Sequence, residues 1–273
     1  MSLPSSARSA ITGAGGGFGR ALALELASRG GHLVLSDISA PAAEETARLA
    51  LARGAASAKC MRCDVTRLAD VEAFADACEG PVDLVVNNAG VSSGGLVGDL
   101  PMADWRWTIE VDLFGVIHGC HVFVPRLKKQ GRGHVLNVAS AAALVCAPRM
   151  GAYNVAKAGV VALTETLAAE LPGTGVDVTV LCPTFFKTNI VRDGRFADAQ
   201  TAKMADRLMS RGRPVEEVVR YALDSVDSGE LYALPMADAR WLWRLKRAAP
   251  GQFREIVRAG LQMMEKRKAR ARG

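Results

Sequence analysis

Short runs of β-branched and apolar residues alternate without a break with longer stretches of helical periodicity, and this alternation limits what the chain can become. RSAIT (8–12), HLVLSD (32–37), AKCMRCD (58–64), VDLVVNN (82–88), HVLNVAS (134–140) and VDVTVLC (176–182) read as strands. Helical patterns fill the intervals: GGFGRALALELASRG (16–30), a segment at 41–54 with proline in its permitted first turn, 67–80, a long helix from about 103 to 130, and one ending near 171. Strands joined by helical crossovers of this length pair in parallel, and the crossovers are right-handed. The pattern therefore predicts an α/β fold: a single doubly wound parallel sheet of Rossmann type, with helices on both faces. Ligands of such sheets bind beyond the carboxyl ends of the strands.

The segment 184–213 breaks the rhythm and is long for a connection, which is the signature of a lid over a binding site. A helix from Pro214 and a last strand, ELYALP (230–235), close one domain spanning residues 1–237. Residues 238–273 form an extension in which Phe253, Ile256, Val257, Gly260, Leu261 and Met264 recur at helical spacing ahead of a basic run. The net charge of +6 is concentrated there: from Arg240 onward there are eleven Lys and Arg against two Asp and Glu. A basic tail on a nearly neutral body is no nucleic-acid footprint, so nucleic acid is not an expected partner. The tail is expected to pack on the domain or on a second subunit, with peripheral membrane contact as the alternative.

No apolar run is expected to approach the roughly 18 residues of a membrane span, and MSLPSSARSA lacks the basic-then-apolar layout of a secretory signal. A cytoplasmic protein is expected. The six cysteines form no disulfide framework, and Cys60 and Cys63 sit in a strand whose spacing points them to opposite faces. His118 and His121 lack a third ligand nearby. No metal is expected.

The residues that carry chemistry fall at strand ends. Gly13, Gly17 and Gly19 lie between the first strand and its helix, where glycine lets the backbone approach a diphosphate at a positive helix N-terminus. Asp37, ending the second strand, can accept from both ribose hydroxyls of an adenosine and would repel a 2′-phosphate. No Arg or Lys lies between Gly13 and Gly19 or closely after Asp37, so NAD is favoured over NADP. Asp64 and Asn87-Asn88-Ala89-Gly90 end the next two strands, where an adenine edge and a central wall would be, although each alone is ordinary turn chemistry. Tyr153 and Lys157 are one helical turn apart. An ammonium there favours phenolate and makes tyrosine a usable base, and Ser140 could bond the same substrate oxygen.

In order and spacing, TGAGGGFG, Asp37, CDV, NNAG, Ser140, YNVAK and PTFFKT resemble the short-chain dehydrogenase/reductase family over roughly residues 8–237. The resemblance implies that Tyr153 is the acid/base, that Lys157 also binds the nicotinamide ribose, and that Ser140 polarises the substrate oxygen. It implies a cofactor set of Gly13, Gly17, Phe18, Gly19, Asp37, Asp64, Val65, Asn88, Ala89, Gly90, Tyr153, Lys157, Pro183 and Thr188, with the last two bordering the nicotinamide. Two positions depart from the family. Pro183-Thr184 replaces Pro-Gly, and Asp112 stands where an asparagine usually holds a water relay to the lysine.

The expected activity is NAD-dependent interconversion of a secondary alcohol and a ketone. The substrate is expected to be apolar and medium-sized, since Leu144, Val145, Met150, Phe185, Phe186, Met204 and Met209 could line its pocket. An NADPH-dependent ketone reductase and a non-catalytic dinucleotide-binding regulator are the alternatives. A homodimer or homotetramer, paired through the long helix and the Tyr-Lys helix, is the implied assembly.

Overall fold

The computed structural model describes residues 2–270; Met1, residues 271–273 and the side chains of Leu261 and 263–270 lie outside the described set, and with them the expected apolar positions Leu261 and Met264 and the basic run 265–273. The chain begins β1 (Arg8–Thr12), α1 (Gly17–Ser28), β2 (His32–Asp37), α2 (Ala40–Ala52), β3 (Ser57–Arg62), α3 (Leu68–Asp76), β4 (Leu84–Asn87) and β5 (Ser93–Gly94). It continues with α4 (Met102–Ile109), a π-helical turn (Glu110–Phe114), α5 (Gly115–Gln130), β6 (Gly133–Val138), α6 (Ala141–Val145), α7 (Gly151–Glu170) and β7 (Val176–Leu181). It closes with β8 (Arg195–Phe196), α8 (Ala199–Ser210), α9 (Val215–Asp227), β9 (Tyr232–Ala233), α10 (Ala237–Ala248) and α11 (Pro250–Arg270).

Seven strands form a parallel sheet in the order β3-β2-β1-β4-β6-β7-β9. Successive strand residues face opposite sides, which sorts the core into two layers. Ile11, Leu84, Val86 and Leu136 pack with α1, α2 and α9, whereas Ala10, Val85 and Val135 pack with α3, α5 and α7. Strand order reverses between β1 and β4, so the connections leaving these two strands run to opposite sides and open a crevice at their carboxyl ends.

Several local expectations are corrected. β6 ends at Val138, so Ser140 does not end a strand; its hydroxyl caps α6 by accepting from the Ala142 amide at 3.1 Å. The long helix is interrupted by the π-turn at Glu110–Phe114, which carries Asp112 at its centre. The segments 89–101 and 184–213 are not plain loops: β5 and β8 pair in parallel through Ser93 with Arg195 and Gly94 with Phe196. Within the lid, Asp198 caps α8 by accepting from the Thr201 amide at 2.8 Å. Glu110 and Asp112 interrupt the apolar sequence of Met102–Gln130, yet this helical stretch is long and apolar enough to cross a bilayer by length and composition; 44% of its most apolar window is buried against the sheet and neighbouring helices.

The extension folds back onto the domain. In α10, Ala239 is buried, the Trp243 ring lies 5.0 Å from that of Tyr232, and Arg240 Nη1 donates to the Leu234 carbonyl at 2.7 Å.

Candidate active site

The crevice between β1 and β4 is built around Thr12. Its hydroxyl accepts from the amides of Asn88 (3.0 Å) and Ala89 (3.2 Å), while Asn88 Nδ2 donates to the carbonyls of Thr12 and Gly13, both at 2.9 Å. The glycine-rich turn and the NNAG segment are thereby one structure. Gly13 has φ +64°, and a Cβ there would come within 2.6 Å of Ala89 Cα. Gly17 has φ +52°, and its Cβ would meet Thr188 Oγ1 at 2.7 Å, so residues 171 apart in sequence press on each other across the crevice. Gly19 backs directly onto the Gly13 carbonyl, and Gly90 lies beside Asp112 and Lys157. The α1 N-terminus has no side-chain cap and no acidic residue in its first turn. Its amides and positive dipole end suit a diphosphate.

Asp37 faces the same turn: Oδ2 accepts from the Gly15 amide at 2.8 Å and Oδ1 from the Ser39 amide at 3.0 Å. Arg20, not singled out from the sequence, braces the turn from beneath. Its Nη2 donates to the Gly15 carbonyl at 2.5 Å and its Nε to Thr46 Oγ1 at 2.9 Å. Asp64 lies two residues beyond β3 and spends Oδ1 on the Thr66 amide and hydroxyl, an Asx turn; Val65 is buried, and its carbonyl accepts from His118 Nδ1 at 2.9 Å. That bond assigns His118 to structure.

The second group gathers on α6, α7 and the π-turn. Ser140, besides capping α6, interacts through its side chain with the Tyr153 phenol and acts to lower its pKa. Lys157 is buried, and its Nζ donates to the Val138 carbonyl at 3.0 Å while lying 5.7 Å from the centroid of the Tyr153 ring. Asp112, fully buried, accepts from the Val91 amide at 2.7 Å through Oδ1; Oδ2 has no hydrogen-bond partner and faces Lys157 Nζ at 3.9 Å. Burial pushes the Asp112 carboxyl up to about 6, against the opposing pull of the Lys157 charge and the Val91 amide. Burial also pushes the Tyr153 phenol above its ordinary value; Asp112 adds to the rise, and the Ser140 side chain opposes it. The net direction is opposite to the lowering expected from a lysine one turn away, because desolvation dominates.

Besides the β5–β8 pairing, two arginines fasten the lid. Arg149, in the link between α6 and α7 at φ +65°, bonds Asp198 Oδ2 at 2.5 Å and Thr201 Oγ1 at 2.9 Å. Arg195 bonds Asp104 Oδ1 at 3.1 Å and stacks over Trp107 at 4.1 Å. A cavity of about 610 Å³ opens beside Arg149, bordered also by Leu96, Asp99, Gln200 and Lys203. Of the expected pocket-lining residues, Phe186 and Leu144 are committed to packing, and Phe185 and Met204 face solvent. Phe186 packs edge-to-face on the buried Phe18, centroids 6.3 Å apart, and Leu144 lies in the core. Pro183 is buried, its carbonyl accepting from the Ala141 amide at 2.8 Å, and Thr184 fits without a left-handed backbone.

Thr12, Arg20 and Arg149 are among the residues that sequence reasoning missed. Thr12 was within sight, as the first residue of the glycine-rich run. Arg20 and Arg149 act through partners 26 and 52 residues away, respectively, and no local pattern marks them.

With this geometry in place, comparison with known proteins is direct. The model of the short chain dehydrogenase family matches residues 9–198, and the chain belongs to this family of oxidoreductases. It is 35% identical over 260 residues to the Mycobacterium tuberculosis protein named "Putative oxidoreductase SadH", covering 92% of this chain and 94% of that one. D-beta-hydroxybutyrate dehydrogenase of Rhizobium meliloti is 33% identical over 232 residues, 81% of this chain and 89% of its own length. Among solved structures, a short chain dehydrogenase/reductase from Burkholderia phymatum in complex with NAD superimposes with a TM-score of 0.83 at 34% identity, covering 89% of this chain and 93% of that one.

Proposed function

We propose that the protein interconverts a secondary alcohol and a ketone with NAD as its cofactor. The observation that carries this reading is the convergence of Ser140, Tyr153 and Lys157 beside the crevice between β1 and β4. Gly13, Gly17, Gly19 and the α1 N-terminus fit a diphosphate, Asp37 the adenosine ribose, and Asp64 and Val65 the adenine end. Asn88, Ala89, Gly90, Pro183 and Thr188, with Phe18 behind them, wall the nicotinamide end. The bound nicotinamide supplies the hydride acceptor or donor. Ser140 donates a hydrogen bond to the substrate oxygen, keeping its proton, and Tyr153 takes or returns the proton of the substrate hydroxyl at Oη. Lys157 holds positive charge beneath the tyrosine as phenolate forms. Because burial raises the phenol, alcohol oxidation should accelerate with rising pH.

The partly buried Val145 and Met150, in the link from Ser140 to Tyr153, support an apolar, medium-sized alcohol. The NADPH-dependent alternative draws on Arg20, a cation anchored at Gly15 near Asp37. Exposed Phe114 and Val155, on the π-turn and α7, support pairing into a homodimer or homotetramer, which light scattering reads.

A panel of secondary alcohols with NAD and with NADP, run beside Tyr153→Phe, tests the reading. Tyr153→Phe should slow turnover by roughly 10²- to 10⁴-fold while nucleotide binding persists. Turnover indifferent to the substitution would remove the mechanism.

A further inference from the structure

α6 is held at both ends by side chains. At its start Ser140 Oγ accepts from the Ala142 amide at 3.1 Å. At its finish Lys246, reaching from α10, donates Nζ to the Leu144 carbonyl at 2.7 Å and lies 3.2 Å from Cys146 Sγ. Cys146 ends the helix at φ +55°, a left-handed conformation uncommon outside glycine. A five-residue helix makes little more than one turn; the Cys146 amide closes onto the Ala142 carbonyl at 2.9 Å, while the Leu144 carbonyl lies beyond the reach of that turn and is met by Lys246. An ammonium at that end satisfies a carbonyl and complements the helix dipole.

Lys246 is itself fixed. Its ammonium lies 6.0 Å from the centroid of Phe253, which is buried where α11 meets α10. Trp243, one turn earlier, packs on Tyr232, and the Tyr232 hydroxyl bonds Glu165 of α7, the helix that carries Tyr153 and Lys157. The extension thus ties the helix capped by Ser140 to the helix carrying the other two reactive groups. Lys246 lies outside the stretch matched by the family model, which ends at 198.

We propose that Lys246 is a positioning residue for Ser140: α10 and α11 hold α6 at its carboxyl end, and that grip sets the place of the serine hydroxyl against the substrate. The inference rests on Ser140 as the partner of the substrate oxygen, but its structural half can be read without any substrate.

Amide hydrogen exchange and steady-state kinetics on the full chain would compare wild type, Lys246→Met and Lys246→Arg. Methionine keeps the apolar stem and removes the donor, whereas arginine restores one. In Lys246→Met, exchange at Ala142, Ala143 and Cys146 should rise about tenfold, the order of one charge-assisted hydrogen bond, with β1, β4 and β6 unchanged. KM for the alcohol should rise by a similar factor while KM for NAD stays within about twofold, and Lys246→Arg should recover both. Unchanged exchange at α6, or a uniform rise that includes the sheet, would overturn the proposal. So would faster exchange with an unaltered alcohol KM. If wild type turned over no alcohol, the proposed function would fail, whereas the exchange pattern would still decide whether Lys246 holds α6.

Discussion

Lys157 Nζ and Asp112 Oδ2 lie 3.9 Å apart away from bulk solvent, the lysine side chain 3% exposed and the aspartate 0%. Neither spends a hydrogen bond on the other: the lysine donates to Val138 and the aspartate accepts from Val91. Asp112 raises the Tyr153 phenol, so its removal must lower it. Asp112→Asn keeps an acceptor for the Val91 amide and deletes the charge. The variant should retain activity, and the basic limb of alcohol oxidation should move to lower pH by an amount on the order of one pH unit. Superimposable pH–rate profiles would show that the carboxylate does not tune the base.

Under the proposed function Asp37 would meet a ribose with the same carboxylate that holds the Gly15 and Ser39 amides. Wild type should bind NAD at least tenfold more tightly than NADP, a gap of about 1.4 kcal/mol or more. Asp37→Ser should narrow the gap and weaken NAD itself by loosening the glycine-rich turn. Calorimetric titration with both nucleotides checks this, and equal affinities in wild type would take Asp37 out of its role.

Gly17→Ala should destabilise the fold by about 1–2 kcal/mol for the left-handed backbone alone, more if Thr188 cannot move aside. Gly16 is the control, since its backbone is extended and a Cβ there meets nothing within 4 Å. Urea unfolding should separate Gly17→Ala from Gly16→Ala.

His134 is buried on β6, bonded through Nε2 to Thr179 Oγ1 at 2.8 Å, and burial lowers its pKa from 6.5 to about 4. The unfolded chain therefore takes up a proton that the folded chain refuses. Stability from this group is complete above pH 6.5 and drains away as the pH falls toward 4, by up to about 3 kcal/mol. His134→Gln should flatten that stretch of the stability curve, and unfolding midpoints measured from pH 7 to 4 should reveal it.

The sheet, the crevice and the gathering of Ser140, Tyr153 and Lys157 on neighbouring elements were legible from the sequence because they depend on local periodicity and fixed spacing. Gly13, Asp37, Asn88, Ser140 and Tyr153 each lie at or just past a strand end or on a helix that periodicity marks. What escaped depends on distant partners. The π-turn around Asp112 leaves an ordinary helical pattern in the sequence, and only the Val91 amide and Lys157 reveal which way it aims its carboxylate. β5 and β8 are two residues each and become strands only by meeting. Phe18 follows the glycine-rich turn in the sequence, but nothing there shows that its ring packs on Phe186. Arg149 and Lys246 look like surface cations until their acceptors, Asp198 and the Leu144 carbonyl, are placed.

The bond between Lys246 and Leu144 spans 102 residues and therefore has a timetable. At about 5–20 residues per second of synthesis, the lysine is made roughly 5–20 seconds after the carbonyl it will hold. The residues of the nucleotide crevice, from Thr12 to Gly90 and on to Thr188, have all been made by then. A nascent chain can assemble the place for its nucleotide while the serine still waits for its anchor, so the capacity to bind is born before the capacity to react.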